Sequence, residues 1–167
     1  TALPNETPEQ LVARLSEAKA SALADEHPDS LIIGSDQVAV VDGQIVGKPH
    51  THDKAVAQLK RAAGKRVTFL TGLCVYNTRS RRSQVDVVPY YVVFRHLTDR
   101  QIENYLQREQ PYNCAGSFKS EGLGIALFER LEGEDPNALI GLPLIRLIRM
   151  LETEGVDVLS SQATGEC

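Results

Sequence analysis

No apolar run in this chain approaches the roughly 20 residues that cross a bilayer, and no stretch of it reads as a signal peptide. Positive charge is scarce. Lys and Arg number 18 against 22 Asp and Glu, and the formal net charge of −4 argues against a general nucleic-acid binder, which needs a basic face. The three cysteines, Cys74, Cys114 and Cys167, form an odd set without Cys-x-x-Cys spacing, as in the reduced thiols of a cytoplasmic protein. No internal repeat and no low-complexity segment occurs. Without a Gly-x-Ser-x-Gly the chain does not read as a serine hydrolase. The stretch Gly43-Gln44-Ile45-Val46-Gly47-Lys48-Pro49 is too short for a P-loop, ends in Pro, and follows a turn rather than opening a helix. His50 and His52 have no third His or Cys nearby to complete a metal site.

What is present suits one soluble domain with a real core. The chain has 167 residues, 42% hydrophobic and 24% charged, an ordinary globular balance. Residues 1–155 read as a single α/β domain and 156–167 as a C-terminal tail. The run Leu31-Ile32-Ile33-Gly34-Ser35-Asp36-Gln37 begins as a strand buried on both faces. Small Gly34 and Ser35 then bring the backbone out of the core, and Asp36 sits where the strand reaches solvent, the place where α/β sheets bind ligands. After Gln37-Val38-Ala39-Val40-Val41, Asp42-Gly43 predicts a two-residue hairpin turn. The register it sets pairs Val41 with Gln44, Val40 with Ile45 and Gln37 with Lys48. Opposed side chains lie about 5 Å apart at Cβ, so Lys48 returns beside Asp36 and Gln37. A regular pleat would put Asp36 and Gln37 on different faces unless Gly34 or a bulge turns one of them. An acid, an amide and an ammonium meeting there suit a phosphate ester with a metal ion; the alternative is a surface hairpin with a solvated ion pair.

Around this centre, Thr7-Pro8-Glu9-Gln10 predicts a helix start with a capping box, followed by the stripe Leu11, Leu15, Ala18, Ala22. Lys19 flanks this stripe, either with its stem along the core and its head in water or reaching a phosphate. Thr51 predicts a second helix to about Ala63, with Gly64 after it. Val67–Tyr76 and Val85–Phe94 read as strands joined by a basic loop containing Arg79, Arg81 and Arg82, and Pro89 marks an edge or a bulge. Thr98 with Gln101 caps a third helix bearing Ile102, Tyr105 and Leu106. Residues 113–124 are rich in small residues, allow close approach of backbone to a ligand, and carry Lys119 and Glu121 on one side of an extended segment. Ile125 and Leu127 alternate as a strand. Pro143 starts a final helix with the stripe Leu144, Leu147, Ile148, Leu151.

Taken together, Gly34-Ser35-Asp36-Gln37, Gly47-Lys48-Pro49, Thr71-Gly72, Cys114-Ala115-Gly116-Ser117-Phe118-Lys119-Ser120-Glu121-Gly122 and Gly141-Leu142-Pro143-Leu144 resemble the Maf-like nucleotide pyrophosphatases. Glu17-Ala18-Lys19-Ala20 and the stretch from Phe94 to Tyr105 match as well. Ser-Asp-Gln together with Lys-Ser-Glu-Gly is similar to the subfamily acting on 7-methyl-GTP. The resemblance implies a mixed twisted sheet with flanking helices, related to the inosine-triphosphate pyrophosphatases. It further implies a cytoplasmic, often homodimeric enzyme that uses a divalent cation, Mg2+ or Mn2+, to convert a nucleoside triphosphate to monophosphate and pyrophosphate. By that resemblance Asp36 is the catalytic base and a shared metal ligand, Gln37 and Glu121 set substrate specificity, and Lys19, Lys48 and Lys119 lie near the phosphates.

Members of the family begin with a strand and a Ser-x-Ser-Pro-x-Arg-Arg-like loop, and this chain starts at Thr1, just after that point. The expectation is therefore of a sheet without its first strand, without those phosphate-binding arginines and without a third specificity residue. A competing function is a nucleotide-binding regulator, linked to septum formation, that does not hydrolyse. A nucleic-acid-binding domain resting on Arg79 to Arg82 is disfavoured by the acidic balance.

Overall fold

The computed structural model describes residues 1–160. In chain order the elements are α1 (Pro8–Ser21), β1 (Leu31–Val41), β2 (Gln44–Val46), α2 (His52–Ala62), β3 (Arg66–Asn77), β4 (Arg82–Phe94), α3 (Asp99–Glu109), β5 (Phe128–Gly133), α4 (Asn137–Ile140) and α5 (Leu144–Thr153). The α/β class with helices flanking a sheet is as expected. The five strands run in the order β2-β1-β3-β4-β5, and every pairing among the described residues is antiparallel. Residues 156–160 are exposed, and the rest of the expected tail lies outside the described residues.

Helix starts follow the sequence closely. Thr7 and Thr98 each accept from the backbone N–H three residues on, and Gln10 and Gln101 reach back to complete both capping boxes. Thr51 caps α2 through Lys54, and Gly64 follows it at φ +70°, the left-handed position that ends helices. Pro89, opposite Leu70, stands one residue before β5 begins to pair at Tyr90. The missing N–H therefore faces no strand, although β4 is interior from Tyr90 onward. The bulge lies instead at Val93/Phe94. Ile125 and Leu127 do not form a strand: Leu123–Leu127 is a 3-10 turn, and β5 begins at Phe128.

The two faces of the sheet are covered differently. On one face α2, α3 and α4 enclose a core of Ala39, Val41, Phe69, Val88, Tyr90, Val92 and Phe94, while Leu147 and Met150 of α5 pack on Leu73 and Val75. The other face carries α1. Its buried residues are Leu11, Val12, Ser16 and Ala20, whereas Ala18 and Ala22 of the expected stripe are exposed. The cause is Gly34 and Gly72. A Cβ on Gly34 would overlap the Ser16 carbonyl, and one on Gly72 the Val12 carbonyl. The helix backbone rests directly on two strands, which selects small residues for the contact rather than large apolar ones.

Replacing Gly72 by Ala should therefore push α1 off the sheet. The expected loss is about 3 kcal/mol of stability, the upper part of the range for overpacking a core, seen as a lower urea midpoint. An unchanged midpoint would mean that α1 does not sit this close.

Candidate functional site

The pleat of β1 is regular through the centre of the strand. Its register with β3 runs without interruption from Leu31↔Asn77 to Val40↔Thr68 and includes Asp36↔Gly72 and Gln37↔Thr71. No bulge turns either side chain, so Asp36 and Gln37 lie on opposite faces, as the period of two requires. Asp36 is mid-strand rather than at a strand end. The expectation that Asp36, Gln37 and Lys48 meet through the hairpin is corrected in a second respect. The hairpin has the expected register at Val41↔Gln44 and Val40↔Ile45, but pairing stops at Ala39↔Val46. Gly47 and Lys48 leave the sheet before they can oppose Val38 and Gln37. Beyond Ala39, toward Asp36, β1 has no neighbouring strand on that edge among the described residues.

On the α1 face, Lys19 Nζ lies 2.6 Å from Asp36 Oδ1 and donates to the Ser35 carbonyl at 3.4 Å. The Asp36 side chain is 17% exposed and that of Lys19 58%. The ammonium of Lys19 is thus held at the Asp36 carboxylate.

On the opposite face, Gln37, Lys119 and Glu121 line one cavity of about 190 Å3 together with Phe69, Cys114 and Phe118. The phenyl rings of Phe69 and Phe118 meet edge to face at 5.4 Å, giving the cavity an apolar floor. Gln37 Nε2 donates to Thr71 Oγ1 and to the carbonyls of Ala138 and Leu139. Glu121 accepts from Ser120 Oγ at 3.2 Å. No ion pair joins Lys119 to Glu121 among the described residues.

The segment bearing Lys119 and Glu121 is clamped from α3. The Lys119 N–H donates to Tyr105 Oη at 3.1 Å and the Leu123 N–H to Glu109 Oε1 at 2.5 Å. Burial pushes Tyr105 up to about 12, so the acceptor is a neutral phenol. Lys48 is exposed and reaches the same region by another route. The Gly47 carbonyl accepts from the Gly116 N–H and from Gln58 Nε2, and Ser117 Oγ donates to Gln58 Oε1. The field at Cys114 reports the result. Burial pushes its thiol up, Glu121 adds to the rise, and Lys119 and Lys48 act in the opposite sense.

Two groups therefore result: Lys19 with Asp36 on one face, and Gln37, Lys119 and Glu121 on the other with Lys48 near them. Sequence reasoning gave Thr71 only within the Thr71-Gly72 motif, with no role toward Gln37, and did not single out the Ala138 and Leu139 carbonyls that also hold Gln37. The signal for the turn carrying those carbonyls was Asp135-Pro136-Asn137, a turn sequence. For a metal, no cluster of three His, Cys, Asp or Glu side chains occurs among the described residues. Both ring nitrogens of His52 are engaged, by Tyr112 Oη and Glu103. Asp36 and Glu121 are carboxylates of the two groups, and neither belongs to a cluster of three such side chains among the described residues. No helix among the described residues is long and apolar enough to cross a membrane.

Comparison with known proteins bears on this arrangement. The family model described as Maf-like protein matches residues 1–154. A 7-methyl-GTP pyrophosphatase of Nitrosococcus oceani is 59% identical over 159 residues, covering 95% of this chain and 80% of that protein. Proteins of the same name from Methylobacillus flagellatus and Pseudoalteromonas translucida are each 60% identical, over 154 and 163 residues. These cover 92% and 98% of this chain, and 80% and 81% of the respective relatives. With Asp36, Gln37, Lys48, Lys119 and Glu121 held on a fold of this class and a family match over nearly the whole chain, the chain belongs to the Maf-like family.

Proposed function

We propose that this chain is a cytoplasmic nucleoside triphosphate pyrophosphatase that converts 7-methyl-GTP to 7-methyl-GMP and pyrophosphate. The observation that carries the reading is the single cavity uniting Gln37, Lys119 and Glu121 over an apolar floor, in a chain 60% identical to proteins named for that activity. An ionised carboxylate only accepts hydrogen bonds. Guanine offers it adjacent donors, the ring N–H and the exocyclic amine. Methylation at nitrogen 7 puts positive charge on the ring and strengthens a charge-assisted pair. A base without those donors would desolvate the carboxylate and leave it unpaired, at a cost of about 1–3 kcal/mol.

The phosphates reach Asp36 across the strand edge that β2 leaves uncovered. Lys48 and Lys119 neutralise phosphate charge on one side and Lys19 on the other. Lys19 holds Asp36 Oδ1, which leaves Oδ2 to take the proton of the attacking water as the α–β anhydride opens. Asp36 would hold a Mg2+ or Mn2+ ion together with the substrate phosphates, as such ions are held by one or two carboxylates plus phosphates, and the ion would supply positive charge to offset that of the departing pyrophosphate. The free thiols Cys74 and Cys114 agree with a reducing compartment. The exposed apolar face of Ile140, Leu144, Ile145 and Ile148 is where a second copy would dock in a homodimer, which sedimentation would reveal.

With magnesium present, 7-methyl-GTP should be hydrolysed faster than GTP, dTTP or UTP, and Asp36→Asn should reduce turnover about 10²–10⁴-fold with an unchanged circular dichroism spectrum. Turnover close to wild type would remove Asp36 from the role of base. Glu121→Gln should lose activity selectively on 7-methyl-GTP; an equal loss on all four substrates would move Glu121 to the phosphates or the cation. Lys48→Ala should weaken triphosphate binding far more than nucleoside binding, and equal losses on both would make the lysine structural.

A further inference from the structure

Gln37 has committed its donors to the fold. Its Nε2 donates to Ala138 O at 2.8 Å, Thr71 Oγ1 at 3.0 Å and Leu139 O at 3.3 Å. Backbone carbonyls only accept, so the amide nitrogen must face them. Thr71 Oγ1 accepts from Gln37 and gives its own proton to Ala138 O at 3.1 Å, so the hydroxyl cannot turn to serve the other amide orientation. Gln37 Oε1 has no partner among the described residues, yet no buried side-chain oxygen there is left without one. The oxygen is therefore open, and the residue lines the cavity that holds Glu121.

The two carbonyls are fixed in turn. They belong to α4, four residues long, too short to hold itself. Asp135, 2% exposed, closes the turn around it. Its carboxylate accepts from the N–H of Asn137 and of Ile145, each at 2.9 Å, and from the Asn137 side chain at 2.8 Å. Burial alone would raise the Asp135 pKa; these bonds outweigh it and hold the carboxyl below its ordinary value. A group held that way stabilises the turn above its unfolded pKa, and the contribution fades only as pH falls through the folded one. Gly141 O, at the far end of α4, accepts from Ser35 Oγ at 2.9 Å, which ties the turn to β1 two positions from Gln37.

We infer that Asp135 and Thr71 are specificity-positioning residues. Thr71 directly, and Asp135 through the Ala138 and Leu139 carbonyls, fix the Gln37 amide in one orientation, so that Gln37 presents an acceptor, Oε1, to the cavity that also holds the acceptor carboxylate of Glu121. The inference rests on the base-reading cavity proposed above. A free glutamine amide turns over and offers NH2 as readily as oxygen, and would then serve the carbonyl edge of uracil or thymine. The locked amide serves a base that presents donors. The lock thus acts against pyrimidine nucleotides as much as in favour of a guanine.

The test has two readouts on the full chain. The first is hydrogen exchange of the Gln37 side-chain NH2, its resonances identified by their loss in Gln37→Met. The second is the ratio of kcat/KM for 7-methyl-GTP to that for UTP. In wild type the Gln37 NH2 should exchange slowly. In Asp135→Asn and in near-isosteric Thr71→Val, protection and the ratio should each fall about tenfold, the ratio mainly through KM, and Thr71→Ser should restore both. Thr71→Val decides the matter if Asp135→Asn fails to fold. A Gln37 amide that exchanges freely in wild type overturns the inference, as does a Thr71→Val enzyme with undiminished discrimination. The exchange readout does not depend on turnover. A wild-type chain without preference for 7-methyl-GTP defeats the proposed function, while exchange still decides the lock.

Discussion

The contact between the α1 backbone and the strands beneath it at Gly34 and Gly72 is the constraint on which the rest depends. Carbonyls of Val12 and Ser16 occupy the space where Cβ atoms would otherwise stand. This close approach brings Lys19, near the C-terminal end of α1, down to Asp36, which stands directly opposite Gly72 in the ladder. With larger residues at positions 34 or 72 the helix would ride higher and the ion pair would open. A feature of packing thus sets the geometry of the proposed base.

The other face is organised by anchoring rather than by close packing. The segment from Cys114 to Gly122 has little regular structure, so its place is set by bonds from three sides. Tyr105 and Glu109 hold it from α3, Gln58 and the Gly47 carbonyl from α2 and the hairpin exit, and the aromatic cluster of Phe69, Phe94, Phe118 and Phe128 from below. α5 is secured separately: Arg146 bridges Asp86 and Glu134, and the Met150 carbonyl accepts from Gln84 Nε2. The result is a cavity whose irregular wall is anchored to α3, to α2 with the hairpin exit and to the aromatic cluster.

Much of the framework was legible because it is encoded locally. Capping boxes at Thr7 and Thr98, the Asp42-Gly43 turn and the Gly64 stop each need only a few neighbouring residues to act. The misreadings share one cause. The stripe assigned to α1 followed hydrophobicity, but the buried residues there include Ser16 and Ala20, chosen by the glycines of distant strands. Ile125 and Leu127 alternate like a strand, but Leu127 is buried and Ile125 exposed in a 3-10 turn. Lys48 was expected beside Asp36 because the hairpin was extended past Val46, where Gly47 is drawn instead to Gly116 and Gln58.

The sequence by itself determined the class of fold, the capped starts of α1, α2 and α3, the Asp42-Gly43 turn with the pairing next to it and the identities of the candidate acid, amide and lysines, because side-chain chemistry and short-range caps and turns are written in consecutive residues. Only the tertiary structure decided which of them share a face. Asp36 and Gln37 are neighbours in sequence, yet the unbroken pleat sends them to opposite sides of the sheet. Gln37 and Glu121 are far apart in sequence and line one cavity. The orientation of the Gln37 amide was likewise beyond the sequence. It depends on carbonyls a hundred residues away, and long-range hydrogen bonds of that kind leave no periodicity to read.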